Sequence, residues 1–271
     1  MRVFITGSAD GLGLMAAQLL LEQGHTVVLH ARNEQRAKEA MAAAAGVGGA
    51  AVGGAAPSGA GAEAVVIGDL STIAATMSVA EQVNKLGQFD SVIHNAAIGY
   101  REQRRVVTAD GLSKVFAVNS LAPYILTSLI RRPARLVYLS SGLHRQGDAT
   151  LKDLNWDRRT WNGYRAYSDS KLHNVLLAMA AARKWPDVLS NALEPGWVAT
   201  KMGGHGATDD LALGPVTQVW LAVSTDPAAM VSGGYFYHQQ PRELHPAAQQ
   251  VEVQEQFLAE CERVSGIKLD S

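Results

Sequence analysis

The 271-residue sequence predicts one doubly wound α/β domain, a seven-stranded parallel sheet flanked by helices, on three observations. Short runs rich in Val, Ile and Leu alternate with longer segments of helical period, the pattern of parallel strands joined by crossover helices. Those runs carry few alternating polar residues, as expected where helices cover both sheet faces. A glycine-rich turn joins the first run to the first helical segment.

In order, residues 2–6 read as the first strand and 11–23 as the first helix. Strand 26–30 leads to a helix over 33–44 that opens on Asn33, a good N-cap. Strand 64–68 precedes a helix over 72–86, opened by Thr72, and strand 89–94 precedes a helix over 110–130, opened by Asp110. Strand 135–140, helix 167–184, strand 188–193, helix 215–224 and strand 234–237 complete the series. Residues 42–62 are rich in Ala and Gly. The stretch offers too little apolar area to offset the entropy of ordering it, so 46–62 is expected to be a flexible loop without a role. No repeat or linker divides the chain; 1–271 reads as one domain, with 241–271 as a C-terminal extension.

Lys and Arg number 24 against 25 Asp and Glu, a net charge of −1, which argues against nucleic acid and a polybasic membrane patch. No run approaches the ~20 apolar residues of a membrane span; residues 14–21 come nearest and Gln18 interrupts them. The opening MRVFITG reads as a strand and not as a targeting leader. Cys261 stands alone, which excludes an intramolecular disulfide and leaves the cytoplasm as the expected compartment. The eight histidines show no metal-ligand spacing, so no metal is expected.

Thr6-Gly7-Ser8-Ala9-Asp10-Gly11-Leu12-Gly13 lies between the first strand and helix and reads as a phosphate cradle in a Rossmann fold. Gly7 permits the sharp turn, Gly11 lets backbone approach a pyrophosphate, and Gly13 lets the helix pack close to the sheet. Free N–H groups and the helix dipole then face the anion, with Ala9, Asp10 and Leu12 beside it. A plain glycine-rich turn is the alternative. About 20 residues on, the second strand ends in His30-Ala31-Arg32-Asn33, with a guanidinium where an acid would select a ribose 2′-hydroxyl. Arg32 suits a 2′-phosphate, so NADP(H) is favoured over NAD(H).

Tyr167 and Lys171 are four residues apart, on one helix face. A nearby ammonium would draw the phenol down from about 10 towards a working acid–base range. A surface pair has the same spacing, and Tyr164 lacks the matching lysine. Ser140 and Ser141 end the fifth strand, at the sheet edge where ligands bind, or serve as turn residues. Trp197 can touch substrate or pack; residues 201–210 suit a substrate lid or a plain loop.

The ordered set Thr6-Gly7-x-x-x-Gly11-x-Gly13, Asp69, Asn95-Ala96, Asn119, Ser141, Tyr167-x-x-x-Lys171 and Pro195-Gly196 resembles the short-chain dehydrogenases/reductases over roughly residues 1–240. Residues 110–123 and the tail at 254–257 are similar to the branch of the retinol dehydrogenases and WW-domain oxidoreductases. The resemblance implies Tyr167 as proton donor and acceptor, and Lys171 lowering its pKa and holding the nicotinamide ribose. It also implies Ser141, the second serine of the pair, polarising the carbonyl, and Asn119 placing a relay water. Asp69 and Leu70 would border the adenine. Asn95 and Ala96 would line the cleft, and Pro195, Gly196, Val198 and Thr200 would embrace the nicotinamide. A homodimer or homotetramer is the family expectation.

Three departures stand out. His94-Asn95-Ala96-Ala97 lacks the family's closing glycine, the 131–134 connection is short, and 26 positions separate Ser141 from Tyr167. The extra segment carries Trp156 and Trp161, expected as a wall of the substrate site. Without the apolar anchor of many retinol dehydrogenases, no retinoid substrate is implied. The sequence reading is thus an NADP(H)-dependent oxidoreductase acting on a small-molecule carbonyl or alcohol. A non-catalytic dinucleotide sensor or scaffold and an epimerase-like relative are the rival readings.

Overall fold

A computed structural model describes residues 1–47 and 61–270, so most of the 46–62 loop lies outside the described residues. Strands β1 (Arg2–Ile5), β2 (Thr26–Ala31), β3 (Ala64–Ile67), β4 (Ser91–His94), β5 (Arg135–Leu139), β6 (Leu189–Glu194) and β7 (Tyr235–Tyr237) pair in parallel. An eighth, β8 (Gln240–Pro241), pairs antiparallel with β7, which corrects the seven-stranded, all-parallel expectation. His238 and Gln239, with φ of 47° and 62°, turn the hairpin. Neither is the glycine or asparagine that announces such a turn in a sequence.

The sheet order is β3-β2-β1-β4-β5-β6-β7-β8, so the winding reverses beside β1, between β1 and β4. Ligand sites of such sheets open at that reversal, beyond the carboxyl ends of the strands. Alternate residues of β1 feed separate cores. Phe4 packs with Val28, Val92 and Tyr138 on one face, whereas Val3 and Ile5 pack with Val27, Leu29 and Val137 on the other.

Helices α1 (Gly11–Glu22) and α2 (Glu34–Ala44) follow β1 and β2, and α3 (Ile73–Lys85) follows β3. Asn33 and Thr72 cap α2 and α3, accepting from Arg36 N at 2.9 Å and Ala75 N at 3.3 Å. The helix expected over 110–130 is broken: a single turn, α4 (Lys114–Phe116), then a π turn (Ala117–Leu121), then α5 (Ala122–Leu129). Gly111, at φ 76°, stops the helix from starting at Asp110. Pro123 has no N–H to give the Asn119 carbonyl four residues back, which removes an ordinary α-helical bond and favours the wider turn.

Helix α6 (Gly163–Lys184) begins a turn before the expected Tyr167, capped by Asn162, which accepts from Arg165 N at 3.0 Å. Tyr167 and Lys171 therefore sit inside a formed helix, not at its frayed end. After α7 (Val216–Val223), the 241–271 tail adds α8 (Val251–Ser265), absent from the sequence reading. Its Phe257 is fully buried and stacks on His173 of α6 at 5.0 Å. Among the described residues no helix is long and apolar enough to cross a membrane, and no cluster of His, Cys, Asp or Glu is arranged to hold a metal.

Candidate active site

A cavity of 600 Å³ opens at the carboxyl ends of the central strands. Its walls include Gly7, Ala9, Asp10, Gly11 and Leu12 from the first turn, Arg32 after β2, and Asp69 and Leu70 after β3. Asn95 and Ala96 follow β4, Tyr167 and Lys171 come from α6, and Pro195 and Thr200 follow β6. Four expected cofactor or catalytic positions, Asn119, Ser141, Gly196 and Val198, are not among its lining residues, nor is Gly13.

Gly13 is held to glycine by the turn it leaves: a Cβ there would stand 2.4 Å from Asn95 Nδ2 and 2.5 Å from the Gly7 carbonyl. Asn95 in turn donates to the carbonyls of Thr6 and Gly7 at 3.0 and 3.1 Å, and Thr6 Oγ1 accepts from Asn95 N and Ala96 N, each at 3.0 Å. This brace fixes the first turn against β4. Gly11, by contrast, has open space where a side chain would project, at the amino terminus of α1.

His30, not anticipated as a site residue, completes the brace. Its Nδ1 accepts from Gly7 N at 2.9 Å, which leaves Nε2 as the donor to Gly68 O at 2.9 Å. Burial drives its pKa down to about 4, so the ring is neutral and its tautomer is set. The long-range neighbours that fix this role, β1 and β3, leave no local signature.

Asp10 caps α1 through Gly11 N at 2.7 Å and pairs with Lys201 at 2.5 Å and Arg36 at 3.0 Å. The Lys201 bond is the largest of the influences that hold its carboxyl below the usual range. Arg36 also pairs with Glu39 at 2.5 Å and donates to the Ala9 carbonyl at 3.0 Å. Among the described residues Arg32 has no ion-pair partner, although it lines the same end of the cavity. Arg36 and Lys201 were not expected here; the i, i+4 spacing from Arg32 was the available signal for Arg36.

Lys171 is 3% exposed and donates from Nζ to the Leu139 carbonyl at 2.9 Å. Burial lowers its pKa to about 7. Nζ lies 5.3 Å from the centre of the Tyr167 ring. The expected depression of the Tyr167 pKa is corrected: burial pushes the phenol up, and Ser141 beside its hydroxyl only partly opposes this. A lysine that is itself half discharged near neutrality cannot outweigh that desolvation.

The two serines have separate tasks. Ser140 Oγ donates to the Lys171 carbonyl at 2.8 Å, holding α6 on β5. Ser141 Oγ accepts from Leu143 N at 3.3 Å and keeps its hydroxyl near Tyr167. Asn119 is fully buried. It accepts from Ile98 N at 2.7 Å and donates to Ile98 O at 2.9 Å and Ser170 Oγ at 3.0 Å, tying the π turn to α6.

Gly196 has φ 88°, and a Cβ there would meet Asp209 Oδ2 at 2.5 Å; that oxygen accepts from Trp197 N at 2.8 Å. Val198 is buried and bridges to Asp209. Trp156 and Trp161 do not line the cavity. Trp156 packs with Val115 and Ala166 behind α6, and Trp161 Nε1 donates to the Glu102 carbonyl at 2.9 Å.

Residues 1–143 match the family model described as short chain dehydrogenase. An uncharacterized oxidoreductase of Emericella nidulans is 46% identical, over 98% of this chain and 97% of its own. Short-chain dehydrogenase chyC of Penicillium rubens is 39% identical, over 99% and 98%. Retinol dehydrogenase 14 of Mus musculus is 31% identical, over 91% and 80%. The crystal structure of an uncharacterized protein from Mycobacterium paratuberculosis shares the fold, with a TM-score of 0.80 at 23% identity, covering 100% of this chain and 95% of that one.

Proposed function

The chain belongs to the short-chain dehydrogenase/reductase family, which binds a nicotinamide dinucleotide, and its relatives are named as oxidoreductases and short-chain dehydrogenases; on that footing we propose that it interconverts a carbonyl and an alcohol with NADP(H). The observation that carries this reading is the buried pair of Tyr167 and Lys171 at the cavity wall, with Ser141 beside the phenol. A buried lysine without a carboxylate partner costs stability, and such sites are concentrated where chemistry needs them.

The residues fit the cofactor. The open face of Gly11 and the amino terminus of α1 suit a pyrophosphate, and Arg32, without an ion pair among the described residues, suits a 2′-phosphate. When bound, the cofactor supplies or takes the hydride. Tyr167, kept protonated by burial, gives its proton to the developing alkoxide in reduction and recovers it in oxidation. Lys171, titrating near neutrality against the ring it would resupply, carries the exchangeable positive charge. Ser141 donates to the carbonyl oxygen, and Asn119 positions the segment after β4 that faces it.

The test is NADPH oxidation followed at 340 nm with a panel of ketones and aldehydes. Turnover supports the reading. NADPH binding with no turnover of any carbonyl contradicts it.

A further inference from the structure

Tyr100 lies two residues beyond Ile98 of the cavity wall and packs directly on Tyr167, which is part of that wall. Its ring meets Tyr167 edge-on, with centroids 5.7 Å apart at 69°, and Tyr164 edge-on at 6.4 Å and 78°. The guanidinium of Arg101 sits 5.5 Å over the same ring. Tyr164 is 40% exposed and Trp197 is 47% exposed, so two large rings stand open to solvent, one against Tyr100 and the other bonded to the same carbonyl as Tyr100.

The loop after β6 is pinned to this wall. Tyr100 Oη, Arg101 Nη2 and Trp197 Nε1 all donate to the Gly203 carbonyl, at 3.4, 3.2 and 3.1 Å. Met202 Sδ thereby stands 4.0 Å from the Tyr167 hydroxyl, where a carbonyl oxygen must arrive. Its side chain lies across Gly99, at which a Cβ would meet Met202 Cγ at 2.8 Å.

Resting on the oxidoreductase reading, we propose that Tyr100, Trp197 and Met202 form a subsite for an aromatic ring attached to the reacting carbon, so that the substrates are aryl ketones and aldehydes and the matching aryl carbinols. The flexible thioether of Met202 can leave the phenol and turn its sulfur to the incoming ring, a contact favourable to sulfur and ring alike. A ring bonded directly to the carbonyl carbon then falls within reach of Tyr100, whose edge-on approach to Tyr167 already shows the geometry aromatic pairs prefer. A saturated ring of equal size covers the same area without that match. The step balances as before: the carbonyl carbon gains hydride from NADPH, its oxygen takes the Tyr167 proton, and NADPH becomes NADP⁺.

The experiment compares kcat/KM for acetophenone and cyclohexyl methyl ketone at saturating NADPH. The subsite predicts a preference for the aryl ketone of about tenfold. Tyr100→Leu and Trp197→Leu should bring the ratio close to one while cyclohexyl methyl ketone reduction persists, and Tyr100→Phe should keep it. A wild-type ratio near one, or a ratio that both leucine variants leave unchanged, overturns the proposal. Calorimetric binding of 1-phenylethanol and 1-cyclohexylethanol to the NADPH-loaded protein separates the two claims. If neither ketone is reduced, the oxidoreductase reading fails. Tighter binding of the phenyl alcohol would then still support the subsite, and equal binding would overturn it.

Discussion

Lys171 places its Nζ 5.3 Å from the centre of the Tyr167 ring while giving its hydrogen bond to Leu139 O at 2.9 Å. The ammonium is thus fixed by β5 and offered to the face of the phenol, not tethered to the phenolic oxygen. Both groups are buried, so each resists its charged form: the phenol's pKa is pushed up and that of the lysine is pushed down to about 7.

This arrangement makes stability depend on pH with a definite sign. Lys171 titrates at about 7 in the folded protein against an ordinary 10.5. Between those values the unfolded chain holds a proton that the folded one lacks, so stability rises with pH across that window. In urea unfolding of the cofactor-free protein, wild type should gain on the order of a few kcal/mol relative to Lys171→Met between pH 7 and pH 10. A constant difference between the two would contradict the assignment.

Arg32 should choose the cofactor. With its guanidinium unpaired among the described residues, Arg32→Ala should weaken NADPH binding by about 10- to 100-fold, the loss of a charge-assisted pair, and leave NADH nearly unchanged. Arg36→Ala, which removes one partner each from Asp10 and Glu39, should not change the NADPH-to-NADH ratio by a comparable factor. Titration of both cofactors by fluorescence checks this; an unaltered ratio in Arg32→Ala counts against it.

His30→Leu should orphan two half-buried backbone groups, Gly7 N–H and Gly68 C=O, at a cost of about 1–3 kcal/mol. Its acid behaviour is also distinctive. The folded pKa of about 4 lies below the ordinary 6.5, so the contribution present above pH 6.5 is lost as pH falls towards 4. Urea midpoints at pH 7 and pH 5 should therefore differ less in the variant than in wild type.

Gly13→Ala should lower stability by about 1–3 kcal/mol, since its methyl group would press on Asn95 Nδ2 and the Gly7 carbonyl, neither of which can move without breaking the brace. Thermal unfolding measures it; an unchanged midpoint would show that the turn is looser than its contacts imply.

The strands were legible because most are short apolar runs closed by a turn, and all seven parallel strands fall where the apolar pattern puts them. That Gly7, Gly11 and Arg32 meet at one cavity was legible, because turns that leave neighbouring parallel strands open at the same sheet edge. The break between Gly111 and α5 was hidden, since apolar residues flank the π turn on both sides and only Gly111 and Pro123 mark it. His30, Lys201 and Met202 were hidden for another reason. Their partners, Gly68, Asp10 and Tyr167, lie 38, 191 and 35 positions away, and no local pattern encodes such meetings. The tyrosine–lysine spacing was visible, but the direction of the Tyr167 shift was not, because burial is a property of the packed helix.

The most direct test is Tyr167→Phe, which removes one oxygen from a side chain whose ring packing is otherwise kept. With a carbonyl that wild type reduces, kcat should fall by about 10²- to 10⁴-fold, the usual worth of a positioned proton donor, while the Kd for NADPH stays within twofold. A variant that binds NADPH as wild type does and retains kcat would contradict the account.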